Sequence, residues 1–231
     1  MRLTAQVIND APKVLNPEKL YTIQLRGLHI QYLENLGITN DKFEVLDFTG
    51  NDLVTVGNIP RLANAKTLLF GNNKIVRIED LGDNLPQVQS ILFMANEIAS
   101  LKSIVSLSKL KNLHHLILID NPVTRIPYYR LFAIWTIPSL QSLDFEKVKN
   151  REREAAETLF GTASEPNPLV EELLTNNNAA HEPVVAASGA SSKLTEQQKQ
   201  ELIKQLETAQ DIEEIERIEM ALATGYLEKR I

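Results

Sequence analysis

The chain contains no cysteine, a single tryptophan and few other aromatic residues, and no apolar run in it is long enough to span a bilayer. The lack of cysteine excludes disulfides and thiolate zinc sites and fits a reducing compartment. The four histidines, at His29, His114, His115 and His181, match no metal-binding spacing. The N-terminus lacks the apolar core of a signal peptide, so we expect a soluble intracellular protein.

The sequence also lacks the motifs that carry catalysis. It has no glycine-rich phosphate loop, no Ser/His/Asp set and no metal-ligand cluster, so we expect neither an enzyme nor a cofactor. The adjacent His114 and His115 are interpreted as surface or partner-contact residues, one of which should reach the concave face of the sheet predicted below. An enzyme whose site follows no recognised motif is the alternative that remains.

Charge is distributed unevenly along the chain, although the formal net charge is −6. Residues 101–153 contain nine Lys and Arg against four Asp and Glu, whereas residues 154–231 contain six against fifteen. The overall acidity argues against a free-standing nucleic-acid-binding protein. The local basic segment still allows an RNA contact that is shared with a partner.

A recurring string organises most of the chain. Its clearest copy, LHHLILIDNPV at residues 113–123, follows the leucine-rich-repeat signature L-x-x-L-x-L-x-x-N-x-L. Leu116 and Leu118 are two residues apart, so both point to the same side of a short strand. The amide of Asn121 follows the strand and can bond backbone groups in the turn. Copies in register with this one predict a structural asparagine ladder at Asn51, Asn73, Asn96 and Asn121.

These copies predict an α/β fold, a leucine-rich-repeat solenoid in the form of a right-handed horseshoe with a parallel concave sheet. A degenerate first copy has Leu28 in place of asparagine, and a partial sixth copy places Leu143 and Phe145 in a closing strand. A short helix within residues 1–16 predicts an N-terminal cap, and a helix at about 127–136, stopped by Pro138, predicts a C-terminal cap. Pro and Gly in the connections favour an irregular or 3₁₀-like convex side.

The composition changes after Gly161, where Pro, Asn, Ala and Ser predict a flexible linker with at most a short helix at 168–175. Beyond it, two capping boxes and two apolar stripes predict a short helical pair. The predicted organisation is an N-terminal cap at 1–19, a repeat domain with its C-terminal cap at 20–161, a linker at 162–192 and a helical tail at 193–231.

Residues that alternate with the core positions point out of the concave face. They are apolar in the middle repeats and charged or polar at both ends, which predicts a protein-binding face suited to a helix. The predicted partner-binding residues are Arg26, Asp47, Leu69, Leu92, Met94, Ile117 and Ile119. Coverage of this face by a cap or by the protein's own tail is the alternative.

A basic segment follows the last strand and is predicted to contact RNA phosphates beside a partner that supplies sequence recognition. The predicted RNA-contact residues are Lys147, Lys149, Arg151 and Arg153. A solvated helix start is the alternative interpretation of these charges.

Several strings are more specific than generic repeat residues, above all NPVTRIPYYRLFAIWTIPSLQSLDFEKVKNRERE. Together with LTAQVI, LRGLHI, VLDFTGNDL, TLLFGNNKIVRI and the tail string DIEEIERIEMALATG, it resembles the A-prime family of the U2 small nuclear ribonucleoprotein, a family of spliceosomal leucine-rich-repeat proteins. The resemblance covers residues 1–161 and the tail. The linker is too biased in composition to compare, and Leu28 departs from the repeat pattern.

The resemblance implies a nuclear structural adaptor that acts in pre-mRNA splicing. It implies a heterodimer with the B-double-prime RNA-recognition-motif protein, whose helix would lie in the concave face, and binding of the U2 small nuclear RNA 3′ stem-loop by the pair. Arg26 and Asp47 would then provide charged contacts at the rim of that face. Other spliceosomal proteins are further expected partners, and no membrane is expected. The alternative is a generic leucine-rich-repeat protein-binding scaffold unrelated to RNA.

Overall fold

The computed structural model describes residues 1–162, 165–176, 191–193 and 226–228. The chain divides into two units, Met1–Glu182 and Pro183–Ile231. In the second unit, β11 (Ser191–Lys193) and β12 (Tyr226–Glu228) form an antiparallel pair. This pair was not predicted from the sequence, and the predicted capping boxes and apolar stripes of the helical tail lie outside the described residues.

The strands of the first unit are short, and most of them belong to one sheet. Their bounds are β1 (Lys13–Leu15), β2 (Tyr21–Gln24), β3 (Val45–Asp47), β4 (Thr55–Val56), β5 (Thr67–Leu69), β6 (Arg77–Ile78), β7 (Ser90–Leu92), β8 (His115–Ile117), β9 (Ser142–Leu143) and β10 (Glu146–Lys147). The sheet order is β1-β2-β3-β5-β7-β8-β9-β10, and β4 pairs with β6 separately. From β2 to β9 the neighbouring strands are parallel, whereas β1 and β10 close the two edges antiparallel.

Helices are short in the part of the chain that the structure describes. The α-helices are α1 (Ala5–Asp10), α2 (Lys102–Val105), α3 (Tyr129–Thr136), α4 (Asn150–Phe160) and α5 (Pro168–Asn176), and the 3₁₀ turns are Leu36–Thr39 and Pro122–Arg125. Within these described ranges, every helix is too short or too polar to cross a membrane. Thr4 caps α1 by accepting a hydrogen bond from the backbone N–H of Val7 at 3.3 Å.

The predicted register places equivalent apolar residues side by side in the core. Leu46, Leu68, Ile91, Leu116 and Leu143 are aligned partners on successive parallel strands. Two positions further on, phenylalanines replace leucine in the middle repeats, and their rings stack with centroids 5.4 and 5.5 Å apart. This stack comprises Phe48, Phe70 and Phe93. Because every repeat buries its apolar side against its neighbours, the leucine-rich-repeat fold predicted from the sequence is confirmed.

Each ladder asparagine joins its own repeat to the preceding one. Asn96 donates from Nδ2 to the carbonyls of Phe70 and Phe93 at 2.9 and 2.8 Å, and its Oδ1 accepts from the N–H of Ile75 at 3.0 Å. The side chain is buried, so these bonds satisfy backbone groups that water does not reach. The same backward bonding is made by Asn51, Asn73 and Asn121.

This backward direction explains Leu28, the residue that occupies the asparagine position of the first repeat. The strand before that repeat, β1, is antiparallel, so it does not present the backbone groups that a ladder asparagine bonds. The N–H groups of Leu28 and Ile30 are both satisfied by Asn51 Oδ1 at 3.0 Å. An asparagine at position 28 is therefore dispensable.

The sheet ends in a hairpin, and here one sequence prediction is wrong. Asp144 and Phe145 both have positive φ, at 53° and 65°, as a two-residue turn between antiparallel strands requires. Phe145 is consequently 69% exposed and does not continue a closing strand into the core. Leu143 and Val148, on either side of the reversal, are buried.

The Asp144 side chain is engaged where the sheet ends. Its Oδ1 accepts from the N–H of Leu118 at 2.6 Å, and its Oδ2 accepts from the hydroxyl of Tyr129 at 2.8 Å. In the preceding repeat, the equivalent N–H of Phe93 donates to the carbonyl of Ile117. The carboxylate thus takes the place of the backbone carbonyl that a further repeat would supply.

The C-terminal cap consists of α3, α4 and α5. Phe132 and Trp135 of α3 pack against Phe160 of α4 with ring centroids 5.7 and 5.8 Å apart, and Trp135 Nε1 donates to the carbonyl of Gly161 at 2.7 Å. Val170 of α5 is buried in the same core. α5 lies within the segment 162–192 that the sequence predicts as a linker, at the place where a short helix is allowed, and Val170 joins it to the cap.

Candidate protein-binding face

The concave face carries the predicted apolar patch. The middle of this face is formed by aligned side chains on adjacent parallel strands, Leu69, Leu92 and Ile117. Each is partly exposed, as are Met94 and Ile119, which follow the ends of β7 and β8. Leu69, Leu92, Met94, Ile117 and Ile119 are called the apolar patch below. Because the strands are fixed by the core beneath them, the patch has a rigid backbone.

Arg26 and Asp47 stand beside the apolar patch at its N-terminal end, but Asp47 is not accessible. Its side chain is 0% exposed and pairs with Arg26 Nη2 at 2.5 Å, while the Arg26 side chain is 59% exposed. Asp47 Oδ1 also accepts from the N–H of Thr49 at 3.0 Å. The expectation of an exposed carboxylate at this rim is therefore wrong, because Arg26 lies between Asp47 and solvent.

A second row of outward side chains was missed by the sequence reasoning. It begins with Val14 on β1 and ends with Lys147 on β10. These two residues belong to the row because directly opposed residues in antiparallel strands point to the same side of the sheet. The aligned members are Val14, Thr22, Val45, Thr67, Ser90, His115, Ser142 and Lys147. The row is polar from Thr67 onward. The two ends escape prediction because β1 and β10 are antiparallel and carry no repeat signature.

His115 is the member of the histidine pair that reaches this face. Its Nδ1 lies 2.7 Å from Ser142 Oγ, and its side chain is exposed. Lys147 is the aligned partner of Ser142 on the neighbouring strand. The concave face thus has an apolar patch along one side and hydrogen-bonding groups along the other.

The basic segment divides into exposed and engaged residues. Lys147, Lys149 and Arg151 are exposed around the start of α4. Arg153 instead donates from Nη1 to the carbonyl of Pro138 at 2.8 Å and from Nη2 to the carbonyl of Leu140. The guanidinium of Arg153 holds the loop after α3 and is not a free phosphate ligand, which corrects its predicted role.

Arg130 connects this segment to the sheet. It donates from Nε to Glu152 at 2.8 Å and from Nη1 to the carbonyl of Leu143 at 3.0 Å. The hydrogen bond from Arg130 holds the pKa of the Glu152 carboxyl below its ordinary value, and the same bond raises the pKa of Arg130. The ion pair fixes α4, and with it the exposed cations, against β9.

Tyr129 is buried beside this ion pair. Burial, reinforced by the Asp144 carboxylate, raises the pKa of the Tyr129 phenol, so the hydroxyl remains a donor to Asp144. Across the described ranges, no group of three His, Asp or Glu side chains is arranged to hold a metal ion.

A parallel sheet of short strands, joined by buried asparagines that follow the strands of the middle repeats, is typical of the leucine-rich-repeat class. A family model described as leucine-rich repeat matches residues 1–172. The chain is 44% identical to the U2 small nuclear ribonucleoprotein A′ of Candida albicans, over 97% of this chain and 99% of that protein. It is also 44% identical to the same protein of Debaryomyces hansenii, over 98% of this chain and 100% of that protein.

A solved structure agrees with these sequence relatives. A chain in the crystal structure of the Drosophila melanogaster SNF/U2A′ complex matches with a TM-score of 0.70 and 36% identity, over 74% of this chain and 99% of that chain. The chain therefore belongs to the U2 small nuclear ribonucleoprotein A′ family of spliceosomal leucine-rich-repeat proteins. It is a leucine-rich-repeat component of the U2 particle, which acts in pre-mRNA splicing.

Proposed function

We propose that this chain is a nuclear structural adaptor that holds the B-double-prime RNA-recognition-motif protein on its concave face. The observation that carries the proposal is the apolar patch, whose side chains are only partly covered although they lie at the centre of a rigid sheet. The related Drosophila protein was crystallised in complex with SNF, which supports a protein partner for this family. The pair would support binding of the U2 small nuclear RNA 3′ stem-loop.

The dimensions of the patch suit a helix. Leu69, Leu92 and Ile117 occupy three neighbouring strands, which lie about 4.8 Å apart in a sheet. A helix that crosses these strands places side chains from successive turns over them, and the polar row lies alongside for its more polar flank. Burying this patch would supply most of the binding free energy, because a surface that is already rigid loses little conformational entropy when the helix binds.

The exposed cations at the cap support the RNA part of the proposal. Lys147 lies at the edge of the concave face, and Lys149 and Arg151 follow it at the start of α4. Because α4 is held by the Arg130–Glu152 pair, these charges keep a fixed place relative to a partner on the sheet. They would contact phosphates, while the partner would provide base recognition.

The protein interface is tested by replacing Leu92 and Ile117 together with aspartate. Two carboxylates in the apolar patch would be desolvated by a bound helix, so we expect no complex with the cognate B-double-prime protein in isothermal titration calorimetry. The control carries the same charges at Val54 and Val105, which are exposed elsewhere on the chain, and should bind normally. Circular dichroism checks that the Leu92/Ile117 variant and the control variant are folded. Full binding by the folded Leu92/Ile117 variant would contradict the proposal.

The RNA role is tested with alanine at Lys147, Lys149 and Arg151. We expect the heterodimer to form normally but to bind the U2 stem-loop more weakly and with a smaller dependence on salt concentration. Alanine at the exposed cations Lys19, Lys42 and Arg77 provides a charge-matched control.

A pull-down from nuclear extract, with and without RNase, separates the proposed function from a scaffold unrelated to RNA. Recovery of neither U2 RNA nor its proteins would reject the proposed function.

A further inference from the structure

The N-terminal end of the concave face contains a hollow of about 320 Å³. It lies between β1, with the turn that follows it, and the strands β2, β3 and β5, next to the apolar patch. Most of its apolar wall comes from residues outside the repeats, and its floor comes from β3 and β5. The apolar lining residues are Val14, Leu15, Pro17, Val45 and Leu69.

β1 supplies this wall without burying its own apolar side chains. Val14 and Leu15 are 38% and 68% exposed, although they belong to the strand that closes the sheet. Val14 is the aligned partner of Thr22, so its side chain points to the concave side. The free chain therefore exposes apolar surface at the place where the sheet ends.

The charge in this hollow is already paired. Arg26 and Asp47 are the charged residues among its described lining, and they bond each other at 2.5 Å. An incoming charge would have to separate this pair or remain unpaired beside it, which is unfavourable at a desolvated site. The chemistry of the hollow therefore fits an uncharged apolar guest.

The hollow is continuous with the face that the proposed function assigns to the partner, because Leu69 belongs to both. We propose that the hollow receives one large apolar side chain from the helix that the B-double-prime protein lays across the concave face. This inference rests on the proposed function. It makes β1 and the turn that follows it, which lie outside the repeats, a specificity element that fixes the position of the helix along the sheet.

The test compares Val14→Asp with Val105→Asp in the full chain. Both valines are 38% exposed, so the two variants add the same charge at equally exposed positions, one in the hollow on β1 and one outside it on α2. With the cognate B-double-prime protein in calorimetry, Val14→Asp should raise Kd by about tenfold or more, whereas Val105→Asp should change it by less than about twofold. Equal Kd values for the two variants would overturn the inference.

A second measurement does not depend on the effect of aspartate on folding. The chain has no cysteine, so Val14→Cys introduces a single thiol for maleimide labelling. The thiol should react readily in the free chain and be protected at least about tenfold by the bound partner, while a thiol at Val105→Cys should stay reactive. Binding by the wild-type chain without protection at position 14 would overturn this inference alone, whereas no binding at all would overturn the proposed function.

Discussion

In the middle repeats the N–H of Phe93 donates to the carbonyl of Ile117 at 2.8 Å, whereas at the cap the N–H of Leu118 donates to the Asp144 carboxylate at 2.6 Å. The two N–H groups occupy equivalent places in successive repeats. Inside the solenoid, each such N–H group bonds a backbone carbonyl of the next repeat. At the C-terminal end, the Asp144 carboxylate must accept the hydrogen bond that the backbone of a further repeat would accept.

The N-terminal end satisfies its backbone in a third way. There the antiparallel strand β1 pairs with β2, and Asn51 reaches back to serve Leu28 and Ile30. The ladder bonds run backward, so the first repeat needs no asparagine, whereas the C-terminal edge has no further repeat to pair with and is closed by β10 and the Asp144 carboxylate. This asymmetry explains why the C-terminal cap is the larger and more specific of the two ends.

The largest expected effect is at the ladder. Asn96→Ala should lower the free energy of unfolding by about 3–5 kcal/mol, because the N–H of Ile75 and the carbonyls of Phe70 and Phe93 lose a buried partner. Urea denaturation followed by circular dichroism measures this loss. A loss below about 1 kcal/mol would mean that water replaces the amide and that the ladder does not hold the repeats together.

A smaller effect is expected at the cap. Asp144→Ala should lower the free energy of unfolding by about 2–3 kcal/mol, because the N–H of Leu118 and the hydroxyl of Tyr129 lose their acceptor. Asp144→Asn keeps one acceptor oxygen and should recover part of this loss in the same urea experiment. If alanine and asparagine were equivalent, the carboxylate would not be acting in place of a repeat.

The smallest effect is expected at the first repeat. Leu28→Asn restores the repeat consensus, yet it should change the free energy of unfolding by no more than about 1 kcal/mol and should not increase it. The reason is that the preceding antiparallel strand offers the new amide no equivalent partners. A clear increase in the midpoint of thermal unfolding would show that backward bonding does not explain the missing asparagine.

The repeat architecture could be predicted from residues that recur. The alignment of Leu46 with Leu68 and Ile91 and the burial of their neighbours follow from a two-residue period inside a fixed repeat, which sequence displays directly. The outward positions Leu69, Leu92 and Ile117 follow from the same period. Whether these predicted residues bind the partner is decided by the experiments above.

The features that were wrong or missed depend on single contacts between distant residues. Phe145 fits the spacing of a core position, but positive φ at the turn places it in solvent. Asp47 and Arg153 carry charges that sequence assigns to the surface, yet Arg26 covers the first and backbone carbonyls engage the second. Periodicity does not report such pairings, because each occurs once.

The sequence by itself determined the solenoid, its asparagine ladder and the apolar patch, since each repeat meets a copy of itself and local spacing then fixes the long-range contacts. Only the tertiary structure decided how the two ends are closed and which charges stay free. The contacts there join segments that are not copies of the same repeat, as in the pairing of β1, the Asp144 turn and the Arg130–Glu152 ion pair. Such contacts depend on where the folded chain brings unrelated segments together, which no repeating pattern encodes.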